Sequence, residues 1–229
     1  MKYELLARPA ASVAKIYLDK GETFICEVGA MIAMSTKITL ETTSRNRGSS
    51  GGGMLKGLRR LFSGESFFLN HFTAQEDGQY IIIGPSLLGD IEHHNLEHGS
   101  LVVQGGSWLA SGPGIEIDTT FPGLGKAFFS GEGGFWVKCS GNGDVFINSF
   151  GSVYPVEVSG DYIVDTGHIV AYEDSLSFTV VKASSSWIGS LLSGEGLVCK
   201  FSGRGVVYCQ SHNSPSFGQA LGPSLRPRK

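Results

Sequence analysis

The amino-acid sequence predicts an all-β protein, and three observations lead to this prediction. The 229-residue chain contains 33 glycines and is 41% hydrophobic but only 17% charged, a composition typical of a folded, turn-rich protein. Short apolar runs of strand length alternate with glycine-containing turns along most of the chain. Two groups of motifs also recur three times in the same order, which predicts a fold built from internal repeats.

The first repeated element is a strand, a glycine turn and a second apolar strand that ends in alanine. The turn glycines are Gly29, Gly106 and Gly167. Glycine suits a tight turn because it tolerates backbone angles that other residues avoid. The element therefore predicts paired strands at "GETFICEVGAMIAM", "GSLVVQGGSWLAS" and "GDYIVDTGHIVAY".

The second repeated element is a Ser-Gly-Glu triplet followed by two apolar runs with a glycine-bearing turn between them. In the later copies this turn reads "SGNG" and "SGRG". Asn-Gly between apolar runs favours a type I′ turn, so three β-hairpins are predicted after the triplets. The triplets are interpreted as structural corners of the repeats, at Gly64, Glu65, Gly131, Glu132, Gly194 and Glu195.

These landmarks predict one all-β domain over residues 1–211, followed by a loosely ordered tail over residues 212–229. The domain divides into three units, at about residues 1–83, 84–148 and 149–211. Within each unit, the connector before the triplet has room for only a short helix. The tail is rich in proline and glycine and ends in basic residues.

The start "MKYELLARPA" lacks a long apolar run behind a basic end, so we expect a cytoplasmic, unprocessed protein. The net charge is −3, which gives no global attraction to nucleic acid or anionic lipid. No segment approaches the roughly 20 apolar residues that cross a bilayer, although peripheral membrane contact stays open. The four cysteines form no C-x-x-C pair, so we expect free, buried thiols and no structural metal.

The motifs together resemble the altered inheritance of mitochondria protein 24 family. The resemblance rests on the opening "YEL", on "GETFICEVGAMIAM", "VDTGHIVAYED" and "FSGRGVVYCQS", and on the three triplets in fixed order. It implies a β-sandwich of repeats like that of the tryptophan RNA-binding attenuator, often assembled as oligomers. It implies no catalytic residues and no cofactor. Some eukaryotic members are mitochondrial, whereas this chain is predicted to be a cytosolic, prokaryotic member.

One loop is a candidate site for anion binding. The stretch "TSRNRGSSGGG" and the connector after it contain the main concentration of basic residues. A phosphate or anionic lipid headgroup could bind there, while a solvated loop is the alternative. The candidate anion contacts are Arg45, Arg47, Lys56, Arg59 and Arg60.

Two histidine-containing stretches invite a chemical interpretation that the spacing does not favour. "IEHHNLEH" holds His93, His94 and His98, but their spacing does not suit one metal ion, so a solvated polar turn is predicted. Asp165 and His168 could form an acid–imidazole pair. The preferred interpretation is that Asp165 or Thr166 closes the turn around Gly167.

We predict a homo-oligomer, with a trimer as first choice, that is a non-enzymatic binding or scaffolding protein. Aromatic residues near the corners, such as Trp136 and Trp187, are expected to pack in the core or at a subunit interface. The alternative is a nucleic-acid or small-ligand binder, in which those rings would stack on bases. An enzyme is less favoured because no acid, base, nucleophile or metal set converges in the sequence.

Overall fold

The structure is a computed structural model that describes residues 1–45, 67–120, 136–182 and 197–225. Most of these residues form antiparallel β-strands, which confirms the all-β prediction. The fifteen strands are β1 (Lys2–Leu6), β2 (Val13–Leu18), β3 (Thr23–Glu27), β4 (Met31–Met34), β5 (Ile38–Arg45), β6 (Phe67–Ala74), β7 (Gln79–Ile83), β8 (Ile91–Gln104), β9 (Trp108–Ser111), β10 (Ile115–Thr120), β11 (Trp136–Asn148), β12 (Val153–Asp165), β13 (Ile169–Glu173), β14 (Ser177–Lys182) and β15 (Leu197–Gln210).

Helical structure in the described residues is short. Two 3₁₀ turns, Gly105–Ser107 and Thr166–His168, interrupt the strands at two of the predicted glycine turns. One α-helix, α1 (Ser214–Leu221), begins at the Asn213 cap and is followed by a 3₁₀ turn at Gly222–Ser224. The sequence interpretation did not predict α1. Among the described residues, no helix has the length and apolar character needed to cross a membrane.

The strands form two sheets. The smaller has the order β1-β2-β7-β4. The larger has the order β12-β15-β13-β8-β11-β9-β3-β6-β5, with β10 paired to β11 and β14 paired to β15. Strands β4 and β12 thus lie at outer edges of the two sheets, with a described neighbour on one side each.

The strand pairing follows the same scheme in the three predicted units. In the first unit, β2 and β3 pair with β7 and β6, and in the later units β8 pairs with β11 and β12 with β15 over their full lengths. Two more strands pair with the other side of the same partners in each unit. These are β4 on β7 and β5 on β6 in the first unit, β9 and β10 on β11 in the second, and β13 and β14 on β15 in the third.

The prediction of three β-hairpins is wrong. In the first unit, β6 and β7 pair with different neighbours, and in the later units the two apolar runs are halves of one long strand. Likewise, the strands that flank the turns at Gly29, Gly106 and Gly167 do not pair with each other. The chain bends at these places from one set of partners to another instead of folding back on itself.

The bend in β11 shows why the Asn142–Gly143 pair does not form the predicted hairpin turn. Gly141 and Gly143 have φ values of +119° and +140°, and the register with β8 shifts between Gly141 and Asn142. The Asn142 side chain accepts a hydrogen bond of 2.8 Å from the backbone amide of His98, which itself has a φ of +56°. Both strands therefore bend together, and the glycines serve a β-bulge.

The core consists of three apolar clusters that follow the sheets from the first unit to the third. Fully buried Phe146 belongs to the first cluster and meets Phe24 and Tyr3 edge to face. In the third cluster, Trp136 packs against Tyr172 with ring centroids 5.4 Å apart. Trp136 is 5% exposed, which confirms its predicted place in the core.

A buried aspartate joins the amino-terminal segment to the segment just before β8. Asp90 accepts two hydrogen bonds from Arg8, at 2.8 and 2.7 Å, and one of 2.7 Å from the Ser12 hydroxyl. The Ile91 amide donates a further bond of 2.8 Å. Burial opposes ionisation of Asp90, but these donors outweigh it and lower its pKa. We call Asp90 and its three partners the Asp90 knot.

The four cysteines, Cys26, Cys139, Cys199 and Cys209, are buried and unpaired, as predicted. Burial raises the pKa of Cys26 to about 12 and that of Cys209 to about 11, so neither thiolate forms at neutral pH. In the folded protein at pH 8, iodoacetamide is expected to label none of the four, whereas denatured, unreduced protein should take up four labels by mass spectrometry. Labelling of fewer than four after denaturation would mean that a disulfide forms.

Candidate functional site

One cavity of the described structure lies where turns from all three units meet. It has a volume of about 380 Å³, and we call it the turn cavity. Glu27 comes from the first unit, Gln104 and Trp136 from the second, and Gly167 and Gln210 from the third. A volume of this size lies within the range of small-molecule sites in proteins.

Two of the turns are closed in the same way. The Gln104 side-chain oxygen accepts a hydrogen bond of 2.8 Å from the amide of Gly106, two residues later. The Asp165 carboxylate accepts the equivalent bond of 2.7 Å from the amide of Gly167. The interpretation of Asp165 as the residue that closes its turn is therefore confirmed.

Glu27 stands at the corresponding position of the first turn but behaves differently. There the turn is closed by the backbone, because the Ala30 amide bonds to the Glu27 carbonyl at 3.2 Å and Gly29 takes a φ of +92°. In the part of the chain that the structure describes, no hydrogen-bond donor or cation contacts the Glu27 carboxylate. Partial burial raises its pKa to about 7.

Another part of the cavity wall is a fixed polar frame. The Gln210 side chain accepts a bond of 2.8 Å from the Phe150 amide and donates one of 2.9 Å to the Gly167 carbonyl. Both of its polar ends are thus held in place. Trp136 and Phe150 add aromatic surface, so the site combines one negatively charged group with walls that are partly polar and partly apolar.

The acid–imidazole pair, which the sequence allowed but did not favour, does not form between Asp165 and His168. The His168 Nδ1 donates to the Gln210 carbonyl at 2.7 Å, so Nε2 accepts from the Asn213 side-chain amide at 3.0 Å. Asn213 also caps α1, accepting from the Ser216 amide at 2.7 Å. His168 therefore joins α1 to β15, with Ser214 and Pro215 of α1 forming part of the cavity wall.

The prediction of a solvated polar turn at "IEHHNLEH" is wrong, because these residues lie in β8. His93 is enclosed: one ring nitrogen lies 2.9 Å from the Tyr3 hydroxyl and the other 2.7 Å from Asp144. His94 packs edge to face on Tyr208, and burial lowers the pKa of His94 to about 4. Among the described residues, no group of three His, Cys, Asp or Glu side chains could hold a metal ion.

The remaining predicted site residues fall largely outside the described part of the chain. Arg45 is the last residue of β5, where only its backbone is described. The other predicted anion contacts and all three triplets lie outside the described residues: Arg47, Lys56, Arg59, Arg60, Gly64, Glu65, Gly131, Glu132, Gly194 and Glu195.

The fold and the cavity define an all-β protein of antiparallel sheets with a small internal site. Comparison with known families shows the family of this protein. The profile of the family described as "Mitochondrial biogenesis AIM24" matches residues 3–212, and the chain belongs to that family. The family resemblance of the sequence motifs is confirmed.

Two relatives from Streptococcus pyogenes are similar over nearly their whole length. An uncharacterized protein of serotype M6 is 28% identical over 212 residues, which is 91% of this chain and 85% of the relative. A crystal structure of a Streptococcus pyogenes protein, solved by a structural genomics consortium, is 25% identical. It superposes with a TM-score of 0.78 and covers 98% of this chain and 99% of its own.

Proposed function

We propose that this protein is a non-enzymatic, oligomeric binding protein whose turn cavity takes a small ligand with a cationic group. The observation that carries the proposal is the carboxylate of Glu27, which lies partly buried in a cavity of about 380 Å³ without a described cation or donor. A charge placed in this way is unfavourable unless something pairs with it. A positively charged ligand would supply the missing partner.

The walls favour an organic cation over a bare ion. Trp136 and Phe150 offer aromatic surface, and cations bind well against aromatic faces. Gln210 and Gln104 are held by backbone bonds and offer a rigid polar frame. Rigid polar groups in an apolar pocket fix the orientation of a ligand.

Neither His168 nor His93 supports a catalytic role. His168 uses both ring nitrogens in hydrogen bonds, and Asp165 is engaged by its own turn. His93 is likewise bonded on both nitrogens and does not line the turn cavity. A general base needs a free acceptor within reach of the proton it removes, and neither histidine offers one.

Nucleic-acid binding at this cavity is not favoured, because its described lining contains no lysine or arginine. Recognition of a phosphate backbone depends on such groups. The predicted anion contacts around Arg47 lie outside the described residues, so anion binding there stays a separate prediction.

Assembly and location belong to the same proposal. The pairing scheme shared by the three units supports a chain of three copies of one unit, and exposed strand edges support a homo-oligomer, with a trimer as first choice. The four free thiols support a cytoplasmic location, where the environment keeps cysteines reduced.

The ligand proposal predicts a charge-dependent preference between two probes of the same size. Benzylammonium should bind at pH 8 about 10- to 100-fold more tightly than neutral benzyl alcohol, because one charge-assisted bond contributes about 1.5–3 kcal/mol. Isothermal titration calorimetry measures both. The Glu27→Gln variant should lose the preference, whereas Glu116→Gln, an exposed residue of β10, should keep it. Equal affinity of the native protein for the two probes would contradict the proposal.

A further inference from the structure

The chain makes the same strand junction between neighbouring units twice. At the first junction, β3 of the first unit pairs with β9 of the second, with Cys26 opposite Ala110 and Ile25 opposite Ser111. At the second, β8 of the second unit pairs with β13 of the third. Each junction joins the strand that precedes a turn in one unit to the short, alanine-containing strand that follows the turn of the next unit.

The register is the same at both junctions. Val103 precedes the turn residue Gln104 as Cys26 precedes Glu27, and Val103 lies opposite Ala171 as Cys26 lies opposite Ala110. The preceding residue, Val102, lies opposite Tyr172, as Ile25 lies opposite Ser111 at the first junction. The rule is that the residue before the turn faces the alanine of the next unit.

The two strands needed for a third junction are present but do not pair with each other in the described structure. The end of β12 corresponds to β3 and β8, and β4 corresponds to β9 and β13. β12 pairs only with β15, and β4 pairs only with β7, among the described strands. The observed register would place Val164 opposite Ala33 and Ile163 opposite Met34.

Both edges carry exposed apolar side chains. On β4, Ile32 is 59% exposed and Met34 is 37% exposed. On β12, Ile163 is 60% exposed and Tyr162 is 45% exposed. Exposed apolar strand edges are sites of pairing with another chain. Since this chain supplies both halves of the junction, a second copy is the occupant that fits each edge.

We infer that β4 of one copy pairs antiparallel with the end of β12 in a second copy, with Met34 opposite Ile163. The inference rests on the proposed oligomeric state and names its interface. The contact is head to tail, so it closes when the copies are arranged in a ring. It covers the two edges that the single chain leaves open.

The test uses two variants, each with one cysteine added to the four buried native ones, whose added thiols can meet only across copies. Met34→Cys and Ile163→Cys chains are co-expressed, purified and oxidised. Residues opposite each other in antiparallel strands have Cβ atoms about 4.5–5.5 Å apart, close to the reach of a disulfide. We expect a covalent dimer that reducing agent dissolves, and a disulfide between residues 34 and 163 in the peptide map.

The control pairs Met34→Cys with Ser159→Cys, an exposed position on the same strand. Ser159 lies four residues from Ile163, about 13 Å along the strand, so this pair should not cross-link. A disulfide-linked dimer from both pairs of variants, or from neither pair, overturns the inferred register. A Met34→Cys/Ile163→Cys chain that gives only an internally bonded monomer also overturns the inference, because the junction would then close within one chain.

A second variant separates this interface from the oligomeric state as such. Ile163→Lys places a charge on the exposed edge and is expected to leave the fold intact while lowering the mass seen by light scattering to the 24.4 kDa of one chain. If Ile163→Lys keeps the mass of an oligomeric native protein, the interface is elsewhere and only the present inference fails. If the native protein itself has a mass of 24.4 kDa, the oligomeric proposal fails as well.

Discussion

Replacing Asp90 with alanine is expected to lower the free energy of unfolding by about 2–4 kcal/mol, because two buried donors each lose their acceptor at a cost of about 1–3 kcal/mol. Asp90 is 3% exposed and accepts four hydrogen bonds, two of them from Arg8. Its removal leaves the Ser12 hydroxyl and the Ile91 amide without their acceptor. The Asp90 knot also holds the end of β11 in place, because the Ser149 amide donates a hydrogen bond of 3.0 Å to the Asp90 carbonyl.

Urea denaturation at pH 7 measures this effect. The matched control is Glu157→Ala, an exposed carboxylate on β12, which should change stability by no more than about 0.5 kcal/mol. Asp90→Ala within about 1 kcal/mol of the native protein would show that the knot does not stabilise the fold.

Replacing Glu27 with glutamine is expected to stabilise the ligand-free protein above pH 7 by about 3 kcal/mol, because a pKa difference of one between the folded and unfolded states corresponds to about 1.4 kcal/mol. The pKa of Glu27 rises from 4.5 to about 7 on folding. The folded state therefore holds this proton more tightly than the unfolded state. The contribution of Glu27 to stability falls as the pH rises from about 4.5 to about 7 and stays low above that.

Denaturation midpoints from pH 4 to pH 8 test this sign. Glutamine resembles the neutral acid, so the difference between Glu27→Gln and the native protein should vanish near pH 4.5 and be largest at pH 8. Glu116→Gln serves as the exposed control and should follow the native curve. Parallel curves for Glu27→Gln and the native protein would show that Glu27 is ionised freely in the folded state.

Local patterns predicted the type of structure but not the pairing of strands. The apolar runs around Gly106 and Gly167 do form strands, and Asp165 does close its turn. The Asn142–Gly143 pair is compatible with both a hairpin turn and a bulge, and the choice depends on β8, which lies beside β11 in the sheet. A sequence window around the turn does not contain that partner.

The surroundings of Glu27 and His93 were missed for a similar reason. Glu27 gains its raised pKa from burial, which is a property of the assembled sheets. Its position offered one signal, since it aligns with Gln104 and Asp165 in the repeated element. The contact between His93 and Asp144 joins residues 51 positions apart, and only the register of β8 with β11 brings them together.

The central claim, that this family member is an oligomeric binding protein, is tested most directly by native mass spectrometry of protein purified from its own host. The account predicts a mass that is a multiple of the 24.4 kDa chain, three-fold by first choice, with an added small mass that Glu27→Gln loses. A bare chain of 24.4 kDa with no retained ligand would contradict the account.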